Sequence, residues 1–493
     1  MGKLAKNYLY NIAYQMLVLI APIITAPYLA RILGAENLGI YSYVNSSGNI
    51  ITTLSLLGIY AYGNRQTAYV RENKETLTKT FWELEIIRII LGIIGTIIYA
   101  LYSVLNRDYN IFFLIYYPYI LAQFIDCSWI YVGLEDMKLA VMKNFVTKLV
   151  NIIGIFVFIR TKDDLWIYIL MLAVTALLAN ISIYTQLPHY IGKPQVDIRM
   201  IPKHLKGSMA LFLPQVASLF YLQVDKVMLN WFTGMTSQVS FYDQAEKIVT
   251  IPLSLITVIS TVVMPRLANE YQKNNYRKIE KLLLKAGKFA LCMAMPMMFG
   301  IFCIARQFVP WYLGNEFQPT AIAIMVLAPI IVLNTLAGIS GNQYFTATNQ
   351  TSILLKAYII AAGMNVFINA ILIPQFGYIG AAIATVISSF SSVVTQYFYL
   401  MRQVKITDIW KYIIKYFIGA LLMAISIYLF SGKMRASILT TFIQIMIGIF
   451  VYSLYLLLIR DSIVKEIILL LHINTRANRS ADKIYCKHDE EEN

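Results

Sequence analysis

Eleven ionisable side chains stand in or beside long apolar runs of this 493-residue chain: Glu83, Glu85, Arg88, Asp126, Lys148, Asp225, Lys226, Asp243, Glu246, Lys247 and Lys356. In hydrocarbon each would cost about 2.5–3.5 kcal/mol at a helix centre, so such residues pair, face a polar interior or reach the interface with their long stems. The chemistry they suit is holding and moving charge. Ammonium groups attract an anionic head group, and carboxylates take up a proton or a small cation. Residue patterns for bond-breaking chemistry are absent: there is no Walker A sequence, no HExxH and no nucleophile elbow. Cys127, Cys292, Cys303 and Cys486 form no CxxC pair, and His189, His204, His472 and His488 lack metal-ligand spacing. No catalytic residue, metal site or cofactor is expected.

Spacing suggests partners for these charges. Glu85 and Arg88 sit at i,i+3 on one helix face. A hairpin centred near residue 137 sets Asp126 level with Lys148, and one centred near 236 sets Asp225 level with Lys247 and Lys226 level with Glu246. Asp126–Lys148 reads as a structural pair. The four charges near 225 and 247 exceed what packing needs at one depth, which points to a functional interior. Asp163-Asp164 reads as a solvated turn and the acidic run at 489–492 as a tail end.

The elements that carry these residues are membrane helices. The chain is 58% hydrophobic and 14% charged, with mean hydropathy +0.63, against about 25% charge in soluble domains. The expected fold class is all-α integral membrane, with 14 spans near 12–33, 38–63, 81–105, 111–132, 140–160, 165–187, 207–232, 240–265, 288–307, 319–345, 353–373, 378–401, 411–430 and 437–459. About 13 residues then remain per connection, too few for a folded soluble domain. Half of the 14 prolines fall inside spans, where each frees a carbonyl and permits a bend.

With the N-terminus cytoplasmic, 29 of the 41 Lys and Arg lie on the cytoplasmic side and 7 on the other. That asymmetry predicts both termini inside and assigns the net charge of +15 to anionic lipid rather than to nucleic acid. A shift of 200 residues lays Gly34 on Gly234, Tyr41 on Phe241 and Ile51 on Ile251, with Arg65 one residue from Arg266. The reading is a parallel repeat of two six-helix lobes, 1–187 and 207–401, joined by a cytoplasmic linker 188–206. Two additional helices at 402–459 and a cytoplasmic tail at 460–493 complete the chain. Such halves enclose a midplane cavity and rock about it.

Four stretches resemble the Wzx-type oligosaccharide flippases of the polysaccharide transporter family, within the multidrug/oligosaccharidyl-lipid/polysaccharide exporter superfamily. They are residues 27–41; residues 123–135, with Asp126, Trp129, Gly133 and Glu135 in a D-x-x-W-x-x-x-G-x-E arrangement; Asp225-Lys226 through Gly234, Tyr242, Ala245 and Lys247 to Pro265-Arg266; and residues 365–385, with Pro374, Gly377 and Gly380-Ala381-Ala382. The resemblance implies alternating access that carries a polyprenyl-diphosphate-linked oligosaccharide across the plasma membrane for capsule, exopolysaccharide or O-antigen assembly. Arg31, Asn45, Asn49, Lys226 and Lys247 are the candidate substrate-binding residues, and Asp126, Asp225 and Glu246 the candidates for ion coupling or gating. Partners would be the lipid-linked sugar, membrane lipids, an H⁺ or Na⁺ counter-ion, and the polymerase and glycosyltransferases of the same assembly. Teichoic-acid or peptidoglycan-precursor flippases share this mechanism. A drug/cation antiporter and a membrane polymerase or glycosyltransferase are the further alternatives. Under this topology, cysteines introduced at 106–110 should react with an impermeant thiol reagent from outside, and those at 193–206 only from inside. The reverse pattern would invert the orientation.

Overall fold

The computed structural model describes residues 3–464 apart from 433. Most of the expected tail, 465–493, lies outside the described residues. Among them all regular structure is helical, and ten helices are long and apolar enough to cross a membrane, eleven if one bent pair counts as a span. This count does not confirm the expected fourteen spans; two of them, 12–33 and 38–63, run together in one long helix.

The long helix is α1, Lys3–Leu56. Its 54 residues would reach about 80 Å at 1.5 Å per residue, far beyond a hydrocarbon core of about 30 Å. Gly34, at φ 78°, breaks it into two limbs. The second limb starts with an acidic cap: the Ala35 N–H donates to Glu316 Oε1 at 2.9 Å, placing a carboxylate at a helix N-terminus. Next come α2 (Ile59–Val70), α3 (Lys74–Leu105), α4 (Asn110–Ile125), α5 (Ser128–Gly133), α6 (Met137–Phe158) and α7 (Leu165–Tyr184). Asn73 caps α3 by accepting the Glu75 and Thr76 N–H groups. Along α3, Ile89, Ile90, Ile93, Ile94, Ile97 and Ile98 are each about half exposed, a stripe that water does not tolerate and lipid does.

Helices α8 (Ile201–Thr233) and α9 (Thr236–Gln272) form the polar hairpin. Gly234 closes α8 at φ 63°, so the two glycines matched by the 200-residue shift both sit left-handed at helix breaks. Beyond are α10 (Tyr276–Tyr312), α11 (Gln318–Leu327) and α12 (Ile330–Ala337), bent by 43° about Pro329 and continued by a π-helical turn, Gly338–Phe345. Then follow α13 (Thr351–Phe376), α14 (Tyr378–Leu400), α15 (Ile409–Ser431) and α16 (Ile438–Leu458). Buried Asp461 ties the last two to α10, accepting Lys288 at 3.0 Å and Lys415 at 2.6 Å. Asp164 accepts the Arg160 and Thr161 N–H groups, as a solvated turn requires.

Helix α1 packs along α8 and α9, and its second limb brings Ser42 onto the central charge Asp243. At its end Gly39 lies against the start of α9. A Cβ there would come 1.8 Å from the Thr236 carbonyl oxygen, so the two backbones touch only because residue 39 has no side chain. Gly39→Ala should lower thermal stability of the purified protein by the equivalent of about 1–3 kcal/mol. An unchanged melting temperature would show that the helices do not meet there.

Candidate functional site

The central charges organise around Asp243, 2% exposed on α9. Lys226 reaches it from α8 at 2.7 Å, and Lys247, one turn along α9, at 2.6 Å. The Ser42 hydroxyl donates to it from α1 at 2.7 Å. Lys226 also meets Glu246 at 2.9 Å, the partner that hairpin depth assigned. Residues 243, 246 and 247 share one face of α9 because they stand at i, i+3 and i+4. Two ammonium groups and two carboxylates thus balance inside the bundle. Lys226 is locked between two acids and buried, whereas the Lys247 side chain is 48% exposed.

Asp225 does not pair with Lys247, although loop arithmetic puts them level. Its carboxylate accepts the Tyr242 hydroxyl at 2.6 Å, the Thr385 hydroxyl at 2.7 Å and the Asn369 amide. Consecutive residues on a helix point about 100° apart, so Asp225 turns toward α13 and α14 while Lys226 turns toward α9. Asp225 is wholly buried and no basic side chain contacts it among the described residues. Asn369 Oδ1, buried beside it, has no hydrogen-bond partner.

Asp126 occupies the break between α4 and α5. It accepts the Ser128 N–H at 3.0 Å and lies 3.3 Å from Lys143, which also donates to Asn180 Oδ1 at 2.7 Å. The expected Asp126–Lys148 pair is therefore corrected to Asp126–Lys143. Helix α5 is only six residues long, so the chain turns earlier than an unbroken helix would and the hairpin centre shifts back. Glu85 and Arg88 do pair, and both contact the Tyr184 hydroxyl.

Released from Asp126, Lys148 faces a cavity of about 480 Å³ between α1, α6, α7 and α9, with Lys247, Ser42, Tyr168 and Gln244 on its walls. Of the candidate site residues, Lys247 borders this cavity; Lys148, which hairpin depth assigns to Asp126, is the wall residue that sequence reasoning misses, and its signal is a lysine in mid-span. Arg31 lies elsewhere: its guanidinium donates to the Trp311 carbonyl in the last turn of α10, where the helix dipole favours a cation. Asn45 accepts the Tyr116 hydroxyl at 2.7 Å, and Asn49 is half-buried one turn on.

The polysaccharide biosynthesis protein family matches residues 4–271, more than half of the chain. The chain belongs to that family. The lipid II flippase MurJ family also matches, over residues 141–448. Among curated relatives, the "Putative O-antigen transporter" of Escherichia coli (strain K12) is 24% identical over 392 residues, covering 77% of this chain and 92% of the relative. The "Probable low-salt glycan biosynthesis flippase Agl15" of Haloferax volcanii is 25% identical over 57% of this chain and 62% of its own length. In fold, the chain is similar to a solved lipid II flippase MurJ in an inward closed conformation, with TM-score 0.77, 19% identity and coverage of 92% of this chain and 100% of that one. An inward-facing multidrug resistance MATE family transporter of the MOP superfamily gives TM-score 0.63 at 20% identity, over 81% of this chain and 96% of that one. This polysaccharide biosynthesis protein is a multi-pass membrane protein with the MurJ/MATE-like fold.

Removing the shared acid leaves Lys247 without its carboxylate and Lys226 with Glu246 alone. Asp243→Asn should deplete the protein from membranes, the equivalent of about 3–5 kcal/mol for breaking a buried pair, whereas Lys247→Ala should leave abundance near normal. Because Asp225 and Lys247 are not partners, exchanging them should not restore folding. Immunoblots of membrane fractions read all three.

Proposed function

We propose that the protein is a flippase that moves a polyprenyl-diphosphate-linked oligosaccharide from the inner to the outer face of the plasma membrane, for surface polysaccharide assembly. One observation carries this reading: Lys148, with no acidic partner among the described residues, and the half-exposed Lys247 face one cavity inside an apolar bundle. Unneutralised ammonium in such a place suits a diphosphate, a compact double anion that must cross the same low-dielectric region. The cavity volume falls in the range of small-ligand sites, and its Tyr, Ser and Gln walls suit sugar hydroxyls. On the far side of Ile251, which borders both spaces, an apolar groove of about 690 Å³ runs between α9, α10, α15 and α16. It is suited to the prenyl chain, so that head group and tail would travel on either side of α9.

In this reading the lobes are 1–187 and 207–401, and they rock about the junction of α1 with α8 and α9, with both termini cytoplasmic. Diphosphate binding would draw Lys247 away from Asp243, on the same carboxylate oxygen that holds Ser42 of α1. Loss of that shared contact would loosen the junction between the lobes. Asp225 is the coupling site for H⁺ or Na⁺: a buried carboxylate with no basic partner, beside hydroxyl and amide oxygens that suit a hard cation. Glu246 and Asp126 have lysine partners, which makes them structural. The chain acts as a transporter and forms no covalent intermediate with its cargo.

Deleting the gene should abolish surface polysaccharide while lipid-linked repeat units build up on the cytoplasmic face. Lys148→Ala and Lys247→Ala should each reproduce that loss at near-normal protein abundance, and Lys226→Ala should lose the protein itself. Normal surface polysaccharide in both cavity variants would remove the cavity from the mechanism. Accumulation of peptidoglycan precursor instead would change the cargo to lipid II.

A further inference from the structure

On the reading of Asp225 as the coupling site, a cation must reach a carboxylate that is wholly buried. The residues beside it mark a route. Helix α14 carries a buried polar stripe that starts at the Asp225 ligand Thr385 and continues through Ser388, Ser389 and Ser392 to Gln396, none more than 6% exposed. Thr385 and Ser392 are seven residues apart, about 10 Å along the helix. The stripe faces inward while α14 presents Phe390, Val394 and Phe398 outward. Small Ser and Thr side chains let membrane helices approach closely, and the space beside these ones is also lined by Asn334, Asn342 and Gln343.

A separate cavity of about 280 Å³ lies against this stripe, closed by α9, α10, α13 and the α12 segment. Its floor is Ala361 and Ser389: Ser389 stands one turn from Thr385, and Ala361 one turn from Asn365, whose Oδ1 accepts the Asn369 amide at 3.0 Å. Its mouth is at Thr257 and Asn342, both exposed. Asn342 belongs to the π-helical turn, where wider winding displaces the ordinary hydrogen-bond ladder; such turns recur at functional sites. Ser340 of the same turn donates to Gln396 at 2.7 Å and so ties the turn to the far end of the stripe. At the inner end stands the independent sign of a ligand: Asn369 Oδ1, fully buried and without a hydrogen-bond partner, next to a carboxylate without a basic partner. The groups facing that carboxylate are Tyr242 from α9, Asn365 and Asn369 from α13 and Thr385 from α14; Tyr242 is titratable, and so is Glu246 of α9, a second carboxylate close enough to act on its charge.

We infer that this cavity is the access vestibule through which a small monovalent cation, Na⁺ or a proton carried on water, passes between the α9–π-turn mouth and Asp225. It is a path within residues 236–400, distinct from the Lys148–Lys247 cavity. Cation and lipid head group therefore enter on different sides of α9, and each can load without displacing the other.

The test uses the full-length protein in lipid nanodiscs. Thermal stability is followed in a Na⁺ titration against choline at fixed pH, and in a pH titration without Na⁺; the arm that responds identifies the cation. Asp225→Asn should abolish the response. Ala361→Leu, which fills the floor and removes no hydrogen bond, should keep the full final shift but approach it about tenfold more slowly in stopped-flow fluorescence. A wild-type rate in Ala361→Leu would overturn the vestibule and leave Asp225 as a site reached by another way. No response in the wild type would instead remove the coupling role of Asp225, and the vestibule with it. Should Ala361→Leu not fold, Ser392→Cys carries the same decision. A small cationic methanethiosulfonate should label it, more slowly when the responding cation is present, and absence of labelling would overturn the path.

Discussion

Asp243 holds two ammonium groups and a hydroxyl from three helices in a region that excludes water, and the arrangement of the bundle's centre follows from that shared acid. A buried charge is tolerable only when its partners are fixed in place. Lys226 satisfies that condition with two carboxylates and anchors α8 to α9. Lys247 satisfies it with one, and its half-exposed stem leaves its ammonium within reach of an anion in the adjoining cavity. Ser42 brings α1 into the same hydrogen-bond set, so the acid that holds Lys247 also holds a helix junction. Glycine at 39 allows this, because any side chain there would hold α1 away from α9.

Around that centre the helices are broken where the site needs them to be. Gly34 divides α1, and Glu316 caps the new N-terminus, which lets one limb carry Arg31 to the end of α10 while the other carries Ser42 to Asp243. The break at Asp126 separates α4 from α5 and gives that acid to Lys143, which leaves Lys148 for the cavity. Pro329 and the π-helical turn bend the segment before α13 and set Asn342 at the mouth of the second polar space. Membrane helices accept such interruptions because the freed backbone groups find partners inside the protein.

The parts sit in separate compartments about α9. The lysine-lined cavity, the apolar groove and the polar vestibule each use a different face of that one helix. In the proposed function this division would serve the cargo, since a diphosphate, an isoprenoid chain and an inorganic cation each require a different environment. Helix α9 supplies all three because its residues turn by about 100° each, with Lys247 on one face, Pro252 and Leu255 on another, and Thr257 on a third.

Much of this was legible in the amino-acid order. Apolar run lengths specify an all-helical membrane protein, the glycines matched at a 200-residue shift both stand at helix breaks, and the i,i+3 spacing of Glu85 and Arg88 already implies their bond. Depth was legible as well: Lys226 and Glu246 meet where hairpin counting places them. Counting residues from a turn gives height along a helix axis, a one-dimensional quantity that run lengths carry. The tertiary structure alone decided direction about that axis. It turned Asp225 away from Lys247 toward Tyr242, Asn369 and Thr385, made Asp243 the shared acid, and passed Asp126 from Lys148 to Lys143 once α4 broke. Direction depends on which neighbouring helices pack against each face and on where a helix is interrupted, and those are contacts between segments far apart in the chain.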